Sequence, residues 1–300
     1  MAEPWSGVFP AITTAFTPDG QLDHATIRHH VRSLLDAGVH GLVALGSLGE
    51  NGVLSYEEKL EVLNCVATEA GGRIPLLAGV AETTTELACS FARDAETQGA
   101  NGLMLLPPMQ YHSDRRETLH HMRAVGESSP IPIMIYNNPV TYRVDITPEM
   151  FAELAVEKKF VALKESTGDP RRITDIQNLV GDRYRIFVGV DDVALESFLL
   201  GAVGWVAGLV CAFPGETVAL YELFRQGRLE EARELYSWFM PLLHLDTSTK
   251  FVQYIKLAEQ IVGLGTEHVR PPRLPLEGEE RTRIEHIIQT ALERRLELRP

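Results

Sequence analysis

Phe160-Val161-Ala162-Leu163-Lys164-Glu165-Ser166 is an apolar run of strand length that ends on a cation. Runs of four to eight apolar residues with no polar alternation read as strands buried on both faces, as in parallel sheets. Seven more such runs surround it: Val8-Phe9-Pro10-Ala11-Ile12, Gly41-Leu42-Val43-Ala44-Leu45, Ile74-Pro75-Leu76-Leu77-Ala78, Gly102-Leu103-Met104-Leu105-Leu106, Ile131-Pro132-Ile133-Met134-Ile135-Tyr136, Arg185-Ile186-Phe187-Val188-Gly189 and Gly204-Trp205-Val206-Ala207. Between them lie stretches with apolar residues at helical spacing, among them 25–35, 57–70, 85–97, 117–125, 148–155, 173–180, 193–200 and 217–225. Glycines at Gly38, Gly99 and Gly201 stand where helices must end before the next strand. Eight strands each followed by a helix predict an α/β protein with a closed (β/α)8 TIM barrel. An open doubly wound sheet is the alternative, and no glycine fingerprint follows the first strand to favour it.

After Gly227 the strand runs stop. Residues 229–243, 249–262 and 279–298 read as three helices, joined by the extended connector Arg270-Pro271-Pro272-Arg273-Leu274-Pro275. The expected organisation is a barrel catalytic domain over 1–226 and a C-terminal helical extension over 227–300. The 300 residues, 45% hydrophobic, suffice for one large core.

The formal charge of −13 comes with scattered basic residues, which excludes a polyanion-binding surface and sets nucleic acid aside. Cys65, Cys89 and Cys211 show no metal-ligand or redox spacing and read as small core residues in a reducing compartment. Met1-Ala2-Glu3-Pro4-Trp5 has no basic start or apolar leader, and no run of 18 apolar residues occurs. A cytoplasmic protein without membrane contact is expected.

A solvated lysine titrates near ~10.4, so on the order of one amine in a thousand is free to attack a carbonyl at neutral pH. Lowering that pKa by roughly three units takes about 4 kcal/mol of selective destabilisation of the ammonium form, which burial in an apolar barrel supplies. Lys164 therefore has the preparation of a Schiff-base nucleophile. The opposing reading is a lysine that snorkels to a carboxylate such as Glu165. In a barrel of this kind chemistry gathers where strands end. The second run ends in Gly46-Ser47-Leu48-Gly49-Glu50-Asn51, a turn whose backbone N–H groups can converge on a carboxylate. The fifth ends in Tyr136-Asn137-Asn138-Pro139, where a phenol can exchange protons with a carbinolamine.

Taken together, Gly46-Ser47-Leu48-Gly49-Glu50, Tyr136-Asn137-Asn138-Pro139 and Lys164, twenty-eight residues after the tyrosine, resemble the N-acetylneuraminate lyase and dihydrodipicolinate synthase superfamily. The resemblance runs from about Gly7 into the C-terminal helices. It implies a barrel, a homotetramer, Lys164 as Schiff-base former, Tyr136 as proton shuttle and Ser47 as a hydroxyl that relays protons to that tyrosine. It also implies that the backbone around Ser47 and Leu48 holds a 2-oxo-acid carboxylate, with no cofactor and no metal. Gly46, Asn138, Thr141, Arg143, Gly189 and Val206 complete the candidate substrate-binding set. Some positions depart from the synthase pattern. Ser47-Leu48 stands in place of two threonines, the relay tyrosine position falls near Gln110 with Tyr111 adjacent, and the second-substrate arginine position falls on Thr141, with Arg143 two residues on.

A second set of segments is similar to bacterial Δ1-pyrroline-4-hydroxy-2-carboxylate deaminases. These are Trp5 to Ala11, Gly46 to Asn51, Val80-Ala81-Glu82, Tyr142-Arg143, Ser166-Thr167-Gly168-Asp169, Asp191-Asp192 and Met240-Pro241-Leu242-Leu243-His244-Leu245-Asp246. This likeness implies hydrolytic release of ammonia and 2-oxoglutarate semialdehyde in hydroxyproline catabolism. A protonated imine is an electron sink, so the same lysine also suits dehydration of 2-keto-3-deoxy sugar acids, pyruvate-releasing aldol cleavage and 4-hydroxy-tetrahydrodipicolinate synthesis. Two rivals of another class are a non-catalytic ligand-binding barrel and a metal-dependent aldolase built on His29-His30, His112 or His120-His121. The paired histidines fall in predicted helices, where neighbours point apart. Asp191-Asp192 has two readings, lining the barrel mouth or capping the following helix, and the cap is the favoured one.

Overall fold

The computed structural model describes residues 5–297, so Met1–Pro4 and Leu298, which the readings above touch, lie outside the described residues. Eight strands alternate with helices: β1 (Gly7–Pro10), α1 (His24–Asp36), β2 (Leu42–Ala44), α2 (Tyr56–Ala70), β3 (Leu76–Val80), α3 (Thr85–Thr97), β4 (Gly102–Leu105), α4 (Arg115–Ser128), β5 (Ile133–Asn137), α5 (Pro139–Tyr142), α6 (Pro148–Leu154), β6 (Phe160–Glu165), α7 (Arg171–Val180), β7 (Arg185–Val188), α8 (Ala194–Leu199), β8 (Gly204–Ala207) and α9 (Pro214–Arg225). Three more helices follow: α10 (Leu229–Leu243), α11 (Phe251–Val262) and α12 (Gly278–Glu293). All eight strands are parallel, in the order β1-β8-β7-β6-β5-β4-β3-β2, and a single parallel bridge between Ala11 and Val43 closes the ring. The fold is a TIM barrel. The glycines expected to end helices do so with left-handed backbone, at φ +82° for Gly38, +97° for Gly99 and +101° for Gly201.

Two apolar layers follow from the period-2 alternation of strand residues. Phe9, Leu77, Met104, Met134, Ala162, Phe187 and Val206 fill the barrel interior, while Val8, Leu103, Ile135, Leu163, Ile186 and Trp205 face the helices. The outer layer is continuous with Leu235, Phe239, Ile255 and Ile284, so α10, α11 and α12 share the barrel's core. Among the described residues no helix is long and apolar enough to cross a membrane.

One irregularity matters for the site. Ile133 pairs with Phe160 but Met134 pairs with Ala162, so β6 carries one extra residue, Val161, against β5. Strict alternation from the outward-facing Phe160 would turn residue 164 to the helices. The bulge instead puts Lys164 inside and directly opposite Tyr136.

Candidate active site

A cavity of about 590 Å³ opens at the C-terminal ends of the strands. Gly46, Ser47, Leu48, Tyr136, Asn138, Thr141, Arg143, Lys164, Gly189 and Val206, all singled out in the sequence, line it. The fold therefore brings together residues spread over 160 positions of chain because each sits at or just past a strand end.

Lys164 is 6% exposed, and its Nζ lies 4.3 Å from the centre of the Tyr136 ring. Burial lowers its pKa, opposed by the nearby Asp246, Tyr142 and Asp191. Gly189 is what lets its side chain pass, since a Cβ there would collide with Ser166 Oγ and lie 2.5 Å from Lys164 Cε. Glu165 does not receive the lysine. It points outward, accepting from Asn137 Nδ2 at 3.2 Å and from the Thr167 N–H at 2.8 Å. Tyr136 is buried, which raises its pKa, and its hydroxyl accepts from Asn138 Nδ2 at 3.0 Å. Asn138 also caps α5 by accepting from the Thr141 N–H at 3.0 Å. Its place is fixed from both sides, while Thr141 and Arg143 remain exposed at the rim.

Ser47 is placed differently from its sequence-based expectation. Its hydroxyl is hydrogen-bonded to Tyr142, and Tyr142 packs edge-on against Tyr136, with ring centres 5.7 Å apart. Any link from Ser47 to Tyr136 therefore runs past Tyr142, whose pKa burial also raises. Tyr142 is reached because α5, a single turn started by Pro139, swings it back over the barrel mouth. That turn was not anticipated, four residues being too few to show a period.

Two non-glycine residues shape the turn of Gly46 to Asn51 with left-handed backbone, Leu45 just before it at φ +62° and Glu50 within it at φ +54°. Such backbone costs on the order of 1–3 kcal/mol and persists only when its surroundings hold it. Here Asn51 Nδ2 donates to the Leu45 carbonyl at 3.0 Å, and the fully buried Lys256 Nζ donates to Glu50 Oε1 at 2.6 Å. Gly79 is needed beside this turn, because a Cβ would collide with the Leu45 carbonyl.

Two acids, Asp191 and Asp246, lie near the lysine. Asp191 caps no helix, contrary to expectation. It is fully buried and accepts from Trp205 Nε1 at 2.9 Å and from the N–H groups of Gly208 and Leu209 at 3.2 and 2.8 Å, pinning the chain beyond β8. The loop from β7 turns it inward, and burial pushes its carboxyl up to about 6. Asp246 reaches the cavity from the segment between α10 and α11. The sequence marked its segment but not its role, because its distance along the chain from every strand end hid it. Asp192 lines the cavity as well and accepts from His244 Nδ1 at 2.8 Å.

None of the candidate histidines lines the cavity. His30, Cys211 and Glu259 do place ligand-type atoms within 4.8 Å of one another, in a buried spot. Each already has a protein partner: His30 Nε2 meets the Cys211 carbonyl at 2.9 Å, the Cys211 thiol donates to the Ala11 carbonyl at 3.3 Å, and Thr13 Oγ1 donates to both Glu259 oxygens at 2.9 Å. The three read as a satisfied polar network. The cysteines are unpaired thiols.

A profile of the dihydrodipicolinate synthetase family matches residues 4–291. The chain belongs to this family. Among its relatives, the 4-hydroxy-tetrahydrodipicolinate synthase of Methanospirillum hungatei is 33% identical over 282 residues, covering 93% of this chain and 96% of the relative. The solved 4-hydroxy-tetrahydrodipicolinate synthase of Methylacidiphilum fumariolicum superposes with a TM-score of 0.90 at 28% identity, covering 97% and 98% of the two chains. A prophage protein of the dihydrodipicolinic acid synthase family from E. coli K12, solved in complex with pyruvate, gives 0.91 at 25% identity and coverage of 96% and 99%. Family members are lyases that work through a lysine Schiff base and need no cofactor.

Proposed function

We propose that the protein is a class I Schiff-base enzyme in which Lys164 attacks a 2-oxo acid or cyclic imino acid and Tyr136 carries protons to and from the adduct. The observation that carries this reading is the register of β5 on β6, with Lys164 paired to Tyr136 and buried, which lowers its pKa. In this reading the backbone at Gly46, Ser47 and Leu48 takes the carboxylate, and Ser47 acts through Tyr142. Asn138 orients the phenol, Thr141 and Arg143 meet the far end of the substrate, and Gly189 and Val206 leave room for the adduct.

The substrate we favour is Δ1-pyrroline-4-hydroxy-2-carboxylate. Lys164 adds to the imine carbon, the 4-hydroxyl leaves as water, and two waters enter as ammonia and 2-oxoglutarate semialdehyde depart, a net uptake of one water. Acidic side chains at the cavity, which suit a nitrogen-bearing substrate, support this choice. The relatives' names favour a second reading, 4-hydroxy-tetrahydrodipicolinate synthase, over the deaminase. Thr141 in place of the expected arginine weighs against that synthase. The proposal includes a homotetramer, for which light scattering should return four times the 33.3 kDa chain, and a cytoplasmic location, in keeping with three free thiols.

The deciding experiment offers the purified enzyme the pyrroline and, separately, pyruvate with aspartate semialdehyde, while following ammonia and borohydride-trapped mass on Lys164. Ammonia with a trapped adduct supports the deaminase. Condensation of pyruvate with the semialdehyde and no ammonia from the pyrroline would replace it with the synthase. No adduct with either would end the Schiff-base reading.

A further inference from the structure

Lys164 shares its cavity with an acid that the Schiff-base steps described above do not use. Asp246 lines the cavity alongside Lys164, Tyr136 and Ser166, although it is carried by the segment between α10 and α11 and not by a barrel strand. The chain clears space for it: a Cβ on Gly208 would collide with Asp246 Oδ1. The neighbouring Asp191 is fully engaged by one indole and two backbone N–H donors. Ser166, 2% exposed, borders the same cavity beside the Tyr136 hydroxyl, with no hydrogen bond of normal length to it. Asp246 takes a backbone hydrogen bond from Asp191, and among the described residues no side chain donates to its carboxyl. A 2-oxo acid brings a carbonyl oxygen to the reacting carbon, whereas a cyclic imino acid brings a basic nitrogen.

We propose that Asp246 is the acid that meets the substrate nitrogen, which makes this site one for imino acids whose nitrogen is bonded to the carbon that Lys164 attacks. The proposal rests on the deaminase reading. In the step, the Asp246 carboxyl gives its proton to the ring nitrogen, the Lys164 Nζ lone pair forms the bond to carbon, and the C=N electron pair passes to nitrogen. The Asp246 carboxylate then receives the proton released by the newly bonded amine, so charge and atoms balance with no further reactant. Burial and the like charge of Asp191 hold the Asp246 carboxyl well above the usual carboxylate range, the direction a proton donor needs.

The test is competition against imine trapping in the intact enzyme. Pyruvate and borohydride label Lys164, and the label is read by mass with L-proline or tetrahydrofuran-2-carboxylate as competitor. The two rings match in size, but only proline carries a charged nitrogen. In the wild type proline should compete better by on the order of tenfold, the worth of one charge-assisted contact. Asp246→Asn should erase that preference while pyruvate alone still labels Lys164, which also shows the variant folded. Equal competition in the wild type, or a preference unchanged in Asp246→Asn, would overturn the proposal. So would loss of pyruvate labelling in a variant with native circular dichroism, since Asp246 would then serve every carbonyl substrate. Ammonia is not read here, so a wild type that prefers proline yet releases no ammonia from the pyrroline would count against the deaminase reading alone.

Discussion

Burial of Lys164 gives the reaction its free amine and takes stability from the fold by the same amount. A lysine whose folded-state pKa lies below its unfolded value of ~10.4 binds more protons unfolded than folded in the interval between the two. Stability is therefore lost as pH falls through that interval, by about 1.4 kcal/mol for each unit of lowering. Lys164→Met, apolar and similar in volume, should abolish borohydride trapping yet raise the free energy of unfolding. The gain should be greatest at low pH and vanish towards pH ~10.4, which urea titrations at several pH values will show. Tyr136→Phe should slow turnover while still allowing the adduct to form, as single-turnover trapping against steady-state rate will reveal. Gly189→Ala forces Lys164 and Ser166 aside, and we expect at least about a hundredfold loss of trapping rate with native circular dichroism, in line with the effect of a displacement of ~1 Å.

The elements around the site owe their usefulness to departures from regularity. The bulge at Val161 turns the end of β6 inward, and the left-handed residues Leu45 and Glu50 shape the turn after β2. Glu50 is held from α11, through a pair in which both side chains are fully buried, and Lys256 also donates to the His268 carbonyl at 2.6 Å. Removing Lys256 leaves the buried Glu50 facing the more distant Arg273, whose Nη1 lies 3.7 Å from Oε2, so Lys256→Met should cost up to about 3–5 kcal/mol in urea unfolding. The double variant Glu50→Gln with Lys256→Met should recover part of that loss. A loss in the double variant equal to or larger than in the single one would show that the pair does not act as a unit.

At the scale of the whole molecule, the C-terminal helices belong to the barrel in three ways. They extend its outer core through Leu235, Phe239, Ile255 and Ile284, and α11 braces the turn after β2 through Lys256 on Glu50 while the connector to α12 holds the first turn of α2 through Arg270 on Glu58. They also bring Asp246 and Phe251 to the cavity. Residues 1–226 expressed alone should therefore aggregate or unfold without cooperativity, while the full chain unfolds in one transition by far- and near-ultraviolet circular dichroism. A soluble fragment with a sharp transition would show that the barrel stands by itself.

The amino-acid sequence determined the barrel and pointed to ten of the residues that line the cavity. Apolar runs with no solvent face leave few ways to bury eight strands, and in a parallel barrel every strand end arrives at one mouth. Lys164, Tyr136 and the turn at Gly46 were legible because each lies at such an end. Only the tertiary structure decided which way Lys164 points, since a one-residue bulge reverses side-chain parity and leaves no periodic signal over six residues. It also decided that Tyr142 stands between Ser47 and Tyr136, that Asp191 pins the chain after β8, and that Asp246 faces the lysine. Those contacts join positions far apart in the chain through packing, and spacing along a sequence carries no record of distances across a core.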